Sequence, residues 1–382
     1  MNSFSFTIPQ NIVVGAGSLK RLPELAKNLK KSKAYIISGP HLEKIGMVDK
    51  CREALKAAGI ESDAFTQTEG NPSTDTVAKA AEGFKSSNAD FIVAFGGGSP
   101  LDVAKAVAVI ASYGGNITDY EGGGKVPGPV VPMIAIPTTA GTGSEVTAFS
   151  VITDHSRNYK LTVVSNYLLP AYAILDPELI TTVPKSTAAA CGIDAMVHAL
   201  EAFISKAASP FSDLFAKEAL RLIGTSIRDY VLDRSNLAAC EAMLTGSLFA
   251  GIAFSHARLG DVHAMSHPVS AYFDVAHGVA NAVLLPTIVD YNMTYASEKY
   301  KYIYDCICEK PLDDDSFTPE MLAAEIRVLN DELGIPSSLS EVGVDSSLFD
   351  KMADDAMKSG NILVNPRPTT KKDILALYAQ AF

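Results

Sequence analysis

Short, uninterrupted apolar runs punctuate the first half of the chain, and each ends in a turn signal. Lys33–Ser38 (KAYIIS) stops near Gly39-Pro40. Phe91–Phe95 (FIVAF) runs straight into Gly96-Gly97-Gly98-Ser99-Pro100, and Met133–Ile136 ends at Pro137-Thr138-Thr139. Runs that are apolar at successive positions predict strands buried on both faces. Between them, Val48–Ala58 has helical apolar spacing and stops at Gly59, and Leu101–Ile110 reads as a helix. Strands alternating with helices predict a parallel sheet covered on both sides.

From about Pro184 the pattern changes. Thr187–Ser205, Ser212–Val231 and Leu237–Ser255 are rich in Ala, Leu and Met, with few β-branched runs, and predict a helical domain. Asp176-Pro177-Glu178 through Val183-Pro184 reads as a hinge. The chain has 382 residues, which favours two cores over one. The expected organisation is an α/β domain over residues 1–182 followed by an all-helical domain over 183–382.

Composition narrows the function classes. The apolar share of 47% suffices for two sizeable cores, and the charged share of 20% leaves no segment with a disordered composition. A net charge of −11 argues against nucleic acid, since phosphate binding needs a basic stripe. Five scattered cysteines without a CxxC suggest neither a disulfide framework nor a thiolate zinc site. The start, MNSFSFTIPQNIVVGAG, lacks a basic then apolar leader, and apolar runs break at Gly, Pro or charge. A soluble, cytoplasmic protein is expected.

Two loops carry candidate ligand chemistry. GGGSPLDVAK follows a buried strand and opens a helix. Its glycines permit close backbone approach, and free N–H groups at a helix start suit a pyrophosphate. Ser99 is expected as N-cap or phosphate donor, with Pro100 at the first helical position. Pro137–Ser144 adds threonine hydroxyls beside another strand end. Gly15-Ala16-Gly17 imitates a dinucleotide fingerprint, but Lys20 stands at the third glycine, so a plain turn is expected.

Of seven histidines, five lie between residues 198 and 277. Asp194 and His198 are four apart on one helix face, as are His263 and His267, and His277 follows. Gly278 is read as releasing the chain after that ring. Three imidazoles and a carboxylate suit Fe(II) or Zn(II) and leave room for a substrate oxygen. Spacing alone does not choose between His263 and His267.

These segments carry a resemblance. FGGGSPLDVAK, AIPTTAGTGSEVT, GIDAMVHALEAF, LGDVHAMSHPVSAYFDVAHGVANAVLLP and NPRPTTKKDI together resemble the iron-dependent (group III) alcohol dehydrogenase family over nearly the whole chain. The resemblance implies the dehydroquinate synthase-like fold, with an α/β dinucleotide-binding domain followed by a helical metal-binding domain. It implies Fe(2+), replaceable by Zn(2+), on Asp194, His198, His263 and His277, with His267 handling protons beside the substrate. It implies NAD(P) held by Gly96, Gly97, Gly98, Ser99, Asp102, Thr138, Thr139, Thr142 and Lys160, with Asp102 on the nicotinamide side. Phe149 and Phe254 would line a pocket for a short alcohol or aldehyde in the cleft between domains, and the assembly would be a homodimer or higher homo-oligomer.

Three positions depart from the family pattern. Gly39 stands where NAD-preferring relatives carry an Asp, which leaves NADP open. No arginine replaces it, so the balance favours NAD. His256 replaces an Asn and is read either as pocket-facing, selecting a diol or an acidic aldehyde, or as a packing residue. Asp261 replaces an aliphatic residue and is expected to be solvated rather than to support a histidine. The rival readings are a non-redox lyase of the dehydroquinate synthase type and a non-catalytic metal-binding protein. The first would need a Lys/Arg cluster that residues 194–277 do not provide.

Overall fold

The computed structural model describes residues 4–8, 11–310 and 312–382. They pack as two compact units. Of the described residues, those of 7–139 and 143–182 form an α/β unit, and those of 183–382 together with 4–6 and 140–142 form a helical unit.

The α/β unit is built on six parallel strands: β1 (Asn11–Val14), β2 (Lys33–Ile37), β3 (Glu61–Phe65), β4 (Phe91–Gly96), β6 (Met133–Pro137) and β9 (Tyr172–Leu175), in the order β1-β9-β6-β4-β2-β3. The central strand shows why its apolar run is continuous. Ile92 and Ala94 enter one core while Phe91, Val93 and Phe95 enter the other, and all are fully buried. Tyr35 and Ile37 of β2 join the first core, and Ala34 and Ile36 join the second. Helices α1 (Leu22–Asn28), α2 (Pro40–Lys44), α3 (Met47–Ala57), α4 (Thr74–Ser87) and α5 (Gly98–Tyr113) belong to this unit. The chain turns outward from β2 to β3 and then returns to β4 on the other side of β2. That reversal is the position where open α/β sheets bind ligands at their carboxyl ends.

A small second sheet was not legible in the apolar pattern. β7 (Phe149–Asp154) and β8 (Tyr159–Val164) form an antiparallel hairpin, and β5 (Gly122–Gly123) pairs parallel to β8. The Gly15–Gly17 turn is a plain one: the Asp176 carboxylate accepts from the Gly17 and Leu19 N–H groups, filling the place a phosphate would need.

The helical unit consists of α6 (Lys185–Ile204), α7 (Pro210–Leu232), α8 (Leu237–Ala257), α9 (Asp261–Phe273), α10 (His277–Ile307), α11 (Glu320–Leu333), α12 (Phe349–Lys358) and α13 (Lys371–Gln380). Among the described residues, two helices, α6 and α8, are by length and composition alone apolar enough to cross a bilayer. Their most apolar stretches are 89% and 67% buried against protein, the state expected of helices that are apolar all round.

Gly278 does not end a helix. It is the second residue of α10, and a Cβ there would stand 2.2 Å from the Ala190 carbonyl oxygen of α6. The glycine lets the two helix backbones touch, which brings His277 to α6.

Candidate metal centre and cofactor cradle

In the α/β unit, β4 delivers the chain to α5 through Gly96 and Gly97. A Cβ on Gly96 would meet Pro100 Cγ at 2.6 Å, and one on Gly97 would meet Thr139 Oγ1 at 3.2 Å. The helix begins at Gly98 with Gly97 as N-cap, so Ser99 and Pro100 sit at the second and third helical positions, not the cap and first. Gly97 supplies no side-chain cap, so the Gly98 and Ser99 N–H groups at the positive helix end suit an anion. Thr138 donates its N–H to the Gly96 carbonyl and locks the adjacent strand end to this turn.

Asp102 is engaged inside the protein. Ser144 Oγ donates to its Oδ1 at 2.7 Å and the Val151 N–H to its Oδ2 at 3.1 Å, while burial raises its pKa. The fully buried Lys105 donates to Ser144 Oγ, Thr147 Oγ1 and the Phe149 carbonyl, and burial pulls its pKa down. This network ties α5 to the Gly143–Phe149 segment. Lys160 donates to Asn71 Oδ1 at 2.8 Å. At Gly39 a Cβ would stand 3.2 Å from the Thr68 carbonyl oxygen, a tight contact. Phe149 lies in this unit, whereas Thr142 packs with the helical unit.

In the helical unit, Asp194, His198 and Glu201 share one stripe of α6 at i, i+4 and i+7. The Nε2 atoms of His198, His263 and His277 each lie 3.8 Å from Asp194 Oδ1. Ligand atoms around a tetrahedral ion at about 2.1 Å stand roughly 3.4 Å apart, so this spacing is close to a coordination shell. Asp194, His263 and His277 offer ligand atoms all within 4.8 Å of one another. The His198 and His263 rings stack at 4.6 Å, and the His198 Nδ1 lies 3.2 Å from the Gly141 carbonyl.

Asn281 Nδ2 donates to Asp194 Oδ1 at 2.7 Å and lies 3.1 and 3.2 Å from the Nε2 atoms of His263 and His277. Two amide protons cannot serve three acceptors, while Asn281 Oδ1 is left buried without a partner. A divalent cation fits this donor set.

The two candidate histidines of α9 differ in environment. His263 is buried, and its Nδ1 lies 2.6 Å from Glu201 Oε2. His267 is half-buried one turn later, its ring centroid 5.3 Å from that of His277 and 6.2 Å from that of His263. Phe254 stacks on the His198 ring at 4.5 Å, whereas His256 packs against Phe6 at 4.3 Å.

Asp261 is fully buried, not solvated. Its Oδ2 accepts from Thr369 Oγ1 at 2.6 Å, its N–H donates to Asn365 Oδ1, and its Oδ1 has no partner. Burial pushes it up to about 7. Three cations of residues 194–277 are engaged away from these residues: Arg221 with Glu218, Arg228 with Glu332, and Lys217 over the Phe203 and Tyr302 rings.

Glu201 and Asn281 are the site residues that spacing arguments overlooked. Each left a signal: a lone charge at i+7 from Asp194 in an Ala-rich helix, and a lone amide at i+4 from His277.

A family model described as "Iron-containing alcohol dehydrogenase" matches residues 9–177, and one described as "Fe-containing alcohol dehydrogenase family, C-terminal" matches residues 188–382. The chain is 39% identical to a 1,3-propanediol dehydrogenase of Citrobacter freundii, with 99% of each chain covered. It is 34% identical to an NAD-dependent methanol dehydrogenase of Bacillus methanolicus, again with 99% of each covered. A crystal structure of a 1,3-propanediol oxidoreductase superposes with a TM-score of 0.95 at 38% identity, covering 100% of both chains.

Proposed function

The chain belongs to the iron-containing alcohol dehydrogenase family, and from that premise we propose a divalent-metal-dependent, NAD(P)-linked oxidoreductase that interconverts a short primary alcohol or diol and its aldehyde. The observation that carries this reading is the convergence of Asp194, His263 and His277 within 4.8 Å of one another, with His198 Nε2 3.8 Å from Asp194 Oδ1. These four residues would hold iron, with zinc able to substitute. When bound, the ion supplies Lewis acidity toward a substrate oxygen and the nicotinamide exchanges the hydride.

The residues themselves bind, orient and move protons. The Gly98 and Ser99 N–H groups receive the pyrophosphate, and the Thr138–Gly96 bond keeps that turn rigid. His267, partly open and beside His277, exchanges the substrate proton with solvent. Phe254, stacked on His198, limits the substrate to a short chain.

The test is anaerobic reconstitution of metal-free protein with Fe(II) or Zn(II), followed by NADH and NADPH oxidation across short aldehydes. Metal-dependent oxidation, faster with NADH, is expected. Tight binding of metal and cofactor with no oxidation would sink the reaction assignment. His267→Ala should lower turnover while retaining metal, whereas Asp194→Ala should lose both.

A further inference from the structure

Helix α9 starts without a cap of its own. Its N-cap is Gly260, which has no side chain to offer, and the missing acceptor comes from a residue sixty-one positions away from Val262. Glu201 Oε1 accepts the Val262 N–H at 2.7 Å, and the same carboxylate faces the Gly260 N–H. A Cβ on Gly260 would stand 2.9 Å from Glu201 Oε1 and from Asn365 Oδ1, so the glycine is what permits this approach. The other oxygen, Oε2, reaches His263 Nδ1. One buried carboxylate therefore holds both the start of α9 and the ring that α9 carries.

The backbone leading into this contact is strained. Arg258, just before Leu259-Gly260, has φ 62° and ψ −174°, a region nearly reserved for glycine. The surrounding packing holds a costly turn that aims α9 at α6.

We propose that Glu201 is a positioning residue of the metal centre, fixing His263 in the tautomer whose Nε2 lone pair faces Asp194 and supplying the second negative charge that balances a divalent cation. This rests on the metal-centre reading above. A carboxylate accepting from Nδ1–H leaves only Nε2 as the acceptor and makes the imidazole a stronger donor ligand. The charge count points the same way: Asp194 and three neutral imidazoles leave a buried divalent ion with one uncompensated charge, and Glu201 cancels it. The His198 Nδ1 instead lies 3.2 Å from the Gly141 carbonyl oxygen.

The experiment uses metal-free wild type, Glu201→Gln and Glu201→Asp, each titrated with Co(II) against a competing chelator, with the visible d–d band and thermal midpoints recorded. Glutamine keeps the size and an acceptor oxygen but not the charge. Its Co(II) affinity should fall about 10–100-fold with a shifted band, while the metal-free midpoint does not drop. Glu201→Asp, which keeps the charge one methylene shorter, should lie between the two. Unchanged affinity and spectrum in Glu201→Gln, or an equal loss of midpoint with and without Co(II), overturns the proposal, as does an aspartate variant weaker than the glutamine one. Failure of the wild type to bind Co(II) overturns the metal-centre reading itself, and this inference with it.

Discussion

Phe254 and His256 stand two residues apart on α8 and point to opposite sides of it. Two residues turn an α-helix by about 200°, so when Phe254 stacks on His198, His256 is carried round to Phe6. We propose on this ground that His256 is a packing residue rather than a selector of a diol or an acidic aldehyde. His256→Asn should leave the ranking of aldehydes unchanged and lower the thermal midpoint slightly. Phe254→Ala should change the ranking toward longer chains. Steady-state kinetics on one aldehyde series checks both, and a reordered ranking in His256→Asn would return that side chain to the pocket.

Gly278→Ala should destabilise, against the usual trend. In an open helix the exchange gains about 1 kcal/mol. Here the new Cβ would overlap the Ala190 carbonyl oxygen at 2.2 Å, and overpacking of this kind costs about 1–3 kcal/mol or more. Because His277 is the adjacent residue, metal content should fall together with the melting temperature. Full metal occupancy at an unchanged midpoint would contradict this account.

Asp261 sets a pH dependence of unusual sign. Burial keeps its carboxyl protonated in the folded state up to about 7, whereas in the unfolded chain it ionises near its ordinary value of about 4. Between those two values the folded state binds the extra proton, so stability falls as pH rises. Glu201 is pushed up to about 7 by burial and acts in the same direction. The thermal midpoint of the metal-free protein should decline from pH 5 to pH 8. Asp261→Asn should flatten the decline and exceed wild type at pH 8, by about 1–3 kcal/mol. A variant profile parallel to that of wild type would show that Asp261 is not the group responsible.

Lys105→Met separates the two sites. Removing the ammonium takes away the donor shared by Ser144 Oγ, Thr147 Oγ1 and the Phe149 carbonyl and loosens the segment that holds Asp102. NADH affinity should weaken about tenfold, equivalent to about 1.4 kcal/mol. Zn(II) content should not change, since every proposed metal ligand lies in the helical unit. Calorimetric titration with NADH alongside metal analysis tests it, and parallel losses of cofactor and metal would argue for global unfolding instead.

Local spacing alone determined a good part of this protein. A strand apolar at every position must be buried on both faces, which is why FIVAF could be read as the centre of a covered sheet and GGGSP as the turn at its carboxyl end. The i, i+4 step placed Asp194 and His198 on one face of a helix, because helical geometry needs no tertiary partner to set direction. Tertiary structure decided whatever depended on a remote neighbour. Spacing does not tell His263 from His267; the fold gives them different surroundings, with His263 buried between Asp194 and Glu201 and His267 half-buried one turn later. Asp261 is polar in sequence and fully buried in the fold because Thr369 and Asn365, more than a hundred residues on, close over it. Gly278 looked like a helix stop until the Ala190 carbonyl showed that it is a point of contact. Helix and strand periods fix which way a side chain faces, but its burial and its charge partners belong to chain segments that the local pattern does not contain.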